Sequence, residues 1–406
     1  MDNISKEDTP RPLRVGLTYN LKKDVTSHIA GKEAPDLEAE YDSIETVLAI
    51  KNALEGDNCQ VELLEASEEL PLKLMKHDID IVFNIAEGTQ GRGRESEIPA
   101  IMNFYKIPYT GSDETTLCLA LDKALTKRVL ATYHIRTPKY QVISKDQTKI
   151  NGNFTYPAIV KPNAEGSSKG ISDVAIVSNP SQLKSLVSKN INLYHQDMLV
   201  EEYIGGREFT VGVLGNGSEI QVFPPMEIVY LDSQNPFNIY SYNVKQNYKK
   251  LIRYECPAVI SKEIESEMIH TAKRIYEILQ CKDFARIDFR LSQGGNPQDR
   301  NPQGKNSQDE NQQDGNPQGK NSQDGNQQNS QDGNQQDGNP QGKNSQDGNP
   351  QDEKIYFIEI NPLPGLAPGY SDFPMIAEFN GMDYVTLVRS ILNSALKRYG
   401  FHFYLS

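Results

Sequence analysis

The chain is short of positive charge. Its 42 Lys and Arg stand against 55 Asp and Glu, a formal net charge of −13. A broad nucleic-acid footprint needs a basic face, so no nucleic-acid partner is expected. Long apolar runs are missing too. No stretch of about eighteen apolar residues occurs, and no membrane span is expected. Cysteine is scarce: Cys59, Cys118, Cys256 and Cys281 are scattered and form no CxxC pair. That argues against a disulfide framework or a zinc site and fits buried thiols in a reducing compartment. Residues 1–12 are charged and lack an apolar h-region, which argues against a secretory signal. These absences together point to a cytoplasmic protein.

The apolar content is also low, at 37%, but the deficit is local. Residues 293–352 contain no apolar side chain at all. Without them the apolar share rises to about 43%, close to an ordinary globular value. The segment repeats Gly-Asn-Pro-Gln-Gly-Lys-Asn-Ser-Gln-Asp with variations. It has nothing to bury that could offset its ordering entropy, so a disordered insert at a hairpin tip is expected. Repeat expansion without function explains it best, because frequent Pro, Gly and Asp argue against self-association.

What is present reads as alternating strands and helices. Strands are expected at 13–18, 60–64 and 80–84, with a helix over 41–54 whose apolar positions are Ile44, Val47, Leu48 and Leu54. That order suggests a parallel sheet with covering helices. Such sheets place ligands at the carboxyl ends of their strands, so the loop 85–96 is a candidate site. Further on, 117–133 reads as one helix and 263–279 as an amphipathic helix. Strands are expected at 158–161, 198–203, 209–214, 284–291 and 354–360. Length alone suggests two or three domains.

Two of these strands carry chemistry. In Arg286-Ile287-Asp288 the charged residues share one face, and in Glu359-Ile360-Asn361 so do the polar ones, because strand side chains alternate. Paired as a hairpin, the strands gather Arg, Asp, Glu and Asn on one surface. Two carboxylates and a carboxamide are hard oxygen ligands suited to Mg²⁺ holding nucleotide phosphates. The bland alternative is a solvated face with an ion pair, and for either strand alone it is an even match. Jointly, with Pro362-Leu363-Pro364-Gly365 directly after, the metal set fits better. A second element is Lys161 at a strand end, followed by the polar loop 162–170. A lysine so placed can reach phosphate oxygens, and the loop offers N–H groups and hydroxyls to cover them. GxxxxGK[ST] is absent, so this is not a Walker A loop.

In this order the segments resemble the ATP-grasp superfamily, and within it the D-alanine:D-alanine ligase family. Tyr109-Thr110-Gly111-Ser112 and Leu121-Asp122-Lys123 are similar to its YTGS and MDK elements. Val160-Lys161-Pro162 with Glu165-Gly166-Ser167-Ser168 resembles its VKP…EGSS loop. Leu199 to Ile204, then Arg207-Glu208-Phe209-Thr210-Val211, resemble its adenine hinge and ribose strand. Tyr254-Glu255-Cys256-Pro257-Ala258 and the two polar strands complete the match.

The resemblance implies an α/β (α+β) ATP-grasp fold. Its parts would be a Rossmann-like parallel-sheet domain at 1–115, a central lid at 116–205 and a mixed-sheet domain at 206–406 carrying the insert 293–352. It implies ATP as substrate and one or two Mg²⁺. Lys123 and Lys161 would contact ATP phosphates. Glu201 would offer its carbonyl, and Ile204 its N–H, to the adenine edge, and Glu208 would accept from the ribose hydroxyls. Asp288, Glu359 and Asn361 would hold metal. Arg286 would stabilise an acyl phosphate and the tetrahedral intermediate, Lys245 would reach the γ-phosphate from a mobile loop, and Ser167 would touch substrate.

The chain departs from that family where amino acids would bind. Leu17-Thr18-Tyr19-Asn20 stands where the family has Gly-Gly-x-Ser-x-Glu, leaving Glu38, Glu40 and Glu45 as alternatives for its glutamate. Gln246 follows Lys245 where a tyrosine is usual. Asn84 to Gly88 replaces a His-Gly segment, with Arg92, Arg94 and Glu95 following. Leu366 to Ser371 replaces a Ser/Thr-rich run. The resemblance therefore implies a ligase acting on amino-acid or peptide substrates, with pockets reshaped. D-alanine:D-alanine ligase proper and a peptide ligase both fit. A non-catalytic ATP-binding scaffold whose insert recruits a partner fits less well, because Arg286 and the metal set are retained. A homodimer is compatible with these features.

Overall fold

The structure is a computed structural model. It describes residues 11–22, 41–55, 59–76, 78–89, 91–145, 154–165, 175–232, 237–292, 353–402 and 405. The insert 293–352, Ser167, Glu38 and Glu40 lie outside the described residues.

Three sheets follow one another along the chain. The first is parallel, in the order β2 (Cys59–Glu65), β1 (Leu13–Tyr19), β3 (Ile81–Asn84). The central strand β1 is buried almost throughout, which is why its sequence does not alternate strictly. Gly16 keeps it close to its neighbours, since a Cβ there would meet Leu64 Cδ1 at 2.8 Å. Helix α1 (Ile44–Leu54) starts at Ser43, whose hydroxyl accepts from Thr46 N–H. The four apolar positions singled out from its sequence do not share one environment. Val47, Ile50, Ala53 and Leu54 are buried, while Ile44 and Leu48 are each 41% exposed. The reason lies at the other end of the chain. Helix α11 (Tyr384–Arg398) packs its Leu387, Ile391, Leu392 and Ala395 into the same core, and Arg389 Nε donates to Ala53 O at 2.9 Å.

The stretch expected to be one helix is two, α4 (Glu114–Leu121) and α5 (Lys123–Thr132). Asp122 separates them with an extended backbone, and its carboxylate caps α5 by accepting from Leu125 N–H at 2.9 Å. The break places Lys123 at the first position of α5.

The second sheet has the order β4 (Tyr140–Ile143), β7 (Met198–Glu202), β5 (Ala158–Pro162), β6 (Ile176–Val177). Helix α6 (Pro180–Tyr194) packs on it through Leu183, Val187 and Ile191. The third has the order β11 (Ile252–Glu255), β10 (Met226–Tyr230), β8 (Gly206–Leu214), β12 (Phe284–Ser292), β13 (Ile355–Asn361), with β9 (Gln221–Val222) on β8. The resemblance implies a mixed sheet here, but each of these pairings is antiparallel. The expected amphipathic helix appears as α9 (Lys262–Ile278), with Ile264, Met268, Ala272 and Ile275 buried.

All four cysteines are free, but burial was expected for each and fails for two: Cys118 is exposed and Cys256 half-buried. No helix among the described residues is long and apolar enough to cross a membrane.

Candidate functional site

β12 and β13 pair antiparallel, as expected. Arg286 lies opposite Asn361 and Asp288 opposite Glu359, with a bulge just after Asp288. Alternation therefore puts all four side chains on one face. Arg290, two residues on, shares that face. It was not singled out from the sequence, although the same alternation marks it.

A cleft of about 640 Å³, including space open to solvent, lies against this face. Lys161, Glu201, Ile204, Glu208, Lys245, Arg286, Asp288 and Glu359 line it, together with Glu202 and Arg290. Lys123 and Asn361 line a smaller adjoining cleft that shares Glu359. Apolar walls come from Pro138, Ile159, Ile239 and Ile358. Of the expected glutamates in the first loop, only Glu45 is described, and it lies in the first turn of α1.

At the deep end sits a buried ion cluster. Glu201 is held between Lys127 at 2.8 Å and Lys161 at 2.7 Å, and all three side chains are nearly inaccessible. Burial opposes the charge on each. The two lysines outweigh it and hold Glu201 more acidic than usual. Glu201 and Glu359 outweigh it at Lys161, whose pKa is raised. At Lys127 burial wins, and its pKa is lowered. Lys127 was missed in the sequence, yet it lies four residues after Lys123 on α5, on the same helical face. It also donates to Ile358 O at 2.8 Å, tying α5 to β13.

One expected role is corrected by strand geometry. Tyr203 N–H donates to Pro157 O at 3.0 Å, which makes 203 and 157 a hydrogen-bonded pair. Such pairs alternate along an antiparallel ladder, so Glu201 and its partner Ile159 form the next one. The Glu201 carbonyl is thereby used within the sheet. Glu202 faces the other way, its N–H donating to Lys139 O at 2.9 Å. Lys139 N–H returns to the Glu202 carboxylate at 2.9 Å and not to its carbonyl. The free hinge groups are therefore the Glu202 carbonyl and the Ile204 N–H. Neither has a hydrogen-bond partner among the described residues.

Glu208 accepts from Tyr230 OH at 2.6 Å and from Arg290 Nη2 at 2.8 Å. Both bonds land on Oε2, which leaves Oε1 without a hydrogen-bond partner among the described residues. Arg290 also donates to Ile204 O at 2.6 Å, which fixes the hinge relative to the sheet.

The three residues expected to hold metal lie close together, Asp288 facing Glu359 across the ladder and Asn361 sharing the adjoining cleft with Glu359. Burial and the facing charge of Glu359 push Asp288 above its ordinary range, against the pull of Arg286. Glu359 is held at about 2: burial raises it, but Lys123, Lys161, Arg286 and Lys245 lower it more. Lys123 stands 3.5 Å from Glu359 and donates to Glu165 O. Asn361 Oδ1 accepts from Leu363 N–H at 3.0 Å and keeps a second lone pair. No group of three or more His, Cys, Asp or Glu that could hold a metal occurs among the described residues. The set thus depends on the carboxamide of Asn361. Two facing carboxylates and an amide oxygen still fit a hard cation.

Arg286 grips Asp288 with Nε at 3.1 Å and Nη2 at 2.9 Å, and Asp372 with Nη1 at 3.2 Å. Lys245, expected on a loop, lies instead in the short helix α7 (Tyr242–Gln246), capped by Ser241 accepting from Val244 N–H, with its ammonium 5.0 Å from the Tyr240 ring centroid. Burial and the nearby Arg286 lower its pKa. Its neighbour Gln246 is exposed and donates to Tyr370 OH at 2.9 Å. In the loop 91–96, Arg94 is buried. It donates to Ala164 O at 2.9 Å and pairs with Glu165 at 3.2 Å.

A family model described as "D-ala D-ala ligase C-terminus" matches residues 129–298. A D-alanine–D-alanine ligase of Carboxydothermus hydrogenoformans is 32% identical over 257 residues, covering 61% of this chain and 78% of that protein. One of Aquifex aeolicus is 26% identical over 351 residues, covering 86% and 94%. Among solved structures, a D-alanine–D-alanine ligase of Bacillus anthracis complexed with ATP superposes with a TM-score of 0.61 at 18% identity. That match covers 95% of this chain and 98% of the other, and it establishes the ATP-grasp fold.

Proposed function

The chain belongs to the D-alanine–D-alanine ligase family, and from that premise we propose that it is an ATP-dependent ligase joining a carboxylate to an amine. The supporting observation is the convergence of Lys161, Lys245 and Arg286 on the facing carboxylates Asp288 and Glu359, beside a hinge with a free donor and acceptor.

Adenine would lie between Ile159, Ile204 and Ile358, its edge read by the Glu202 carbonyl and Ile204 N–H. Glu208 Oε1 would accept from the ribose hydroxyls. Lys123 and Lys161 would hold phosphate oxygens. Asp288, Glu359 and Asn361 would hold Mg²⁺, which supplies neutralising charge at the β- and γ-phosphates when bound. A substrate carboxylate attacks the γ-phosphorus, ADP leaves, and an amine displaces phosphate from the resulting acyl phosphate to give an amide. Arg286 and Lys245 offset the charge that would repel the carboxylate from ATP. The protein's contribution is positioning and preorganised electrostatics. The segment bearing Lys245 would exclude water from the acyl phosphate. We place the three domains at 1–115, 116–205 and 206–406. The protein is assigned to the cytoplasm, in keeping with its four free thiols.

The test is ADP release by the purified protein across D- and L-amino acids and short peptides. D-alanine alone is expected to be a weak substrate, and a larger amino acid or a peptide a better one. Gln246 offers an amide, not a phenol, and is engaged outside the cleft by Tyr370. A kcat/KM for D-alanine on the order of 10⁴ M⁻¹s⁻¹ or more, with D-alanyl-D-alanine as product, would overturn the substrate expectation. No ADP release with any pair would overturn the ligase reading.

A further inference from the structure

The Arg286 guanidinium is shared between two carboxylates of different standing. Asp288 lines the cleft and belongs to the metal-type donor set. Asp372 is only 5% exposed and does not line the cleft. It is the first residue of helix α10 (Asp372–Phe379), where the helix dipole favours a negative charge. Two phenols complete its shell: Tyr240 OH donates to Oδ1 at 2.8 Å and Tyr254 OH to the same oxygen at 3.3 Å. Oδ2 faces Arg286 Nη1. Asp372 is therefore anchored through Oδ1 by phenols on elements other than β12, with Oδ2 left to Arg286.

A cation bound at Asp288 competes with Arg286 for the same carboxylate oxygens. With Asp288 as its one partner, Arg286 would have to leave its place or resist the cation. A second carboxylate outside the donor set removes that conflict. We propose that Asp372 is a positioning residue that retains Arg286 in the cleft when a divalent cation engages Asp288, which eases cation binding and keeps the guanidinium aimed at the transferring phosphoryl group. This rests on the metal assignment in the ligase reading. Nothing in the sequence marks Asp372, since it lies 86 residues from Arg286.

The experiment compares wild type with Asp372→Asn in the full chain. Asn keeps an acceptor for the two tyrosines but removes the charge facing Arg286. Free Mn²⁺ is followed by electron paramagnetic resonance during titration, in the presence of a non-hydrolysable ATP analogue. The Mn²⁺ dissociation constant is expected to rise roughly three- to tenfold, with melting temperature and circular dichroism close to wild type. In turnover, kcat should fall about ten- to hundredfold while KM for ATP changes little. A merely structural role would lower the melting temperature and leave the Mn²⁺ constant of the folded protein unmoved; that result overturns the proposal. If Asp372→Asn does not fold, Tyr254→Phe removes one donor and leaves the carboxylate. It should weaken Mn²⁺ binding in the same direction but less, and an unchanged constant overturns the proposal. A wild type that binds Mn²⁺ with the nucleotide analogue, loses affinity on Asp372→Asn and releases no ADP with any substrate refutes the ligase reading alone. A wild type that binds no Mn²⁺ overturns both.

Discussion

The strand pair β12–β13 and the tyrosine cluster around Asp372 hold their charges by different means. On β12 and β13 the spacing of Arg286, Asp288, Glu359 and Asn361 is set by the two-residue repeat and the ladder register. In the cluster Tyr240, Tyr248, Tyr254 and Tyr370, from separate segments, lean on one another and on Asp372, Gln246 and Gly369. Their partners are up to 132 residues apart. Regular strands place chemistry through short-range geometry. The tyrosine cluster places it through contacts that exist only once the chain has folded.

This contrast can be broken most severely on the strand side. Glu359→Gln removes a charge from the metal-type face and should cut turnover at least ~10²-fold at saturating Mg²⁺, with unchanged circular dichroism. Wild-type ADP release by this variant would remove the metal assignment. Next in size is Lys127→Met, which leaves Glu201 buried with one lysine in place of two. A stability loss of about 1.5–3 kcal/mol is expected, read from urea unfolding. An unchanged midpoint would show that Lys161 alone satisfies Glu201.

Lys245, over the Tyr240 ring of that cluster, gives a pH signature. Burial and Arg286 lower the pKa of Lys245, so the ammonium loses its proton at a lower pH than an ordinary lysine. Activity that needs the cation is then full on the acid side and lost as pH rises through that lowered pKa. Lys245→Arg, which cannot deprotonate in this range, should move the alkaline limb of kcat upward. A limb that stays in place would assign it to another group. The smallest effect is expected where the strands meet the insert. The ladder is closed there, with Ser292 N–H on Lys354 O at 3.0 Å and Lys354 N–H on Ser292 Oγ at 3.1 Å. Replacing 293–352 with an Asn-Gly turn should leave ADP release within a few fold of wild type. A large loss would assign the insert a part in the fold or the site.

The sequence was read correctly where one periodicity decides the outcome. β1, β2, β3, β5, β7, β12 and β13 lie within two residues of their expected ends, β8 starts three residues early, and the shared face of β12 and β13 follows from alternation. It was misread where two signals compete. Across 117–133 the apolar pattern runs on as one helix, but Asp122 breaks the backbone and caps the next helix. In α1 the apolar positions include Ile44 and Leu48, which stay exposed, because the inward face is chosen by α11, some 340 residues away. At the hinge the motif marks the segment but not which carbonyl is free, since that depends on the pairing parity of β7 with β5 and β4.

By itself, then, the sequence determined the strand-borne chemistry: which side chains share a face, that the donors are oxygens, and that 293–352 has nothing to bury. These follow from local spacing and composition, which need no knowledge of the rest of the chain. The tertiary structure decided the remainder. It put Lys127 and Lys161 around one buried glutamate, left Glu202 and not Glu201 with the free carbonyl, and set Asp372 behind Arg286. A buried charge must find its partner wherever the fold provides one, and that partner is set by packing between distant segments rather than by position in the sequence.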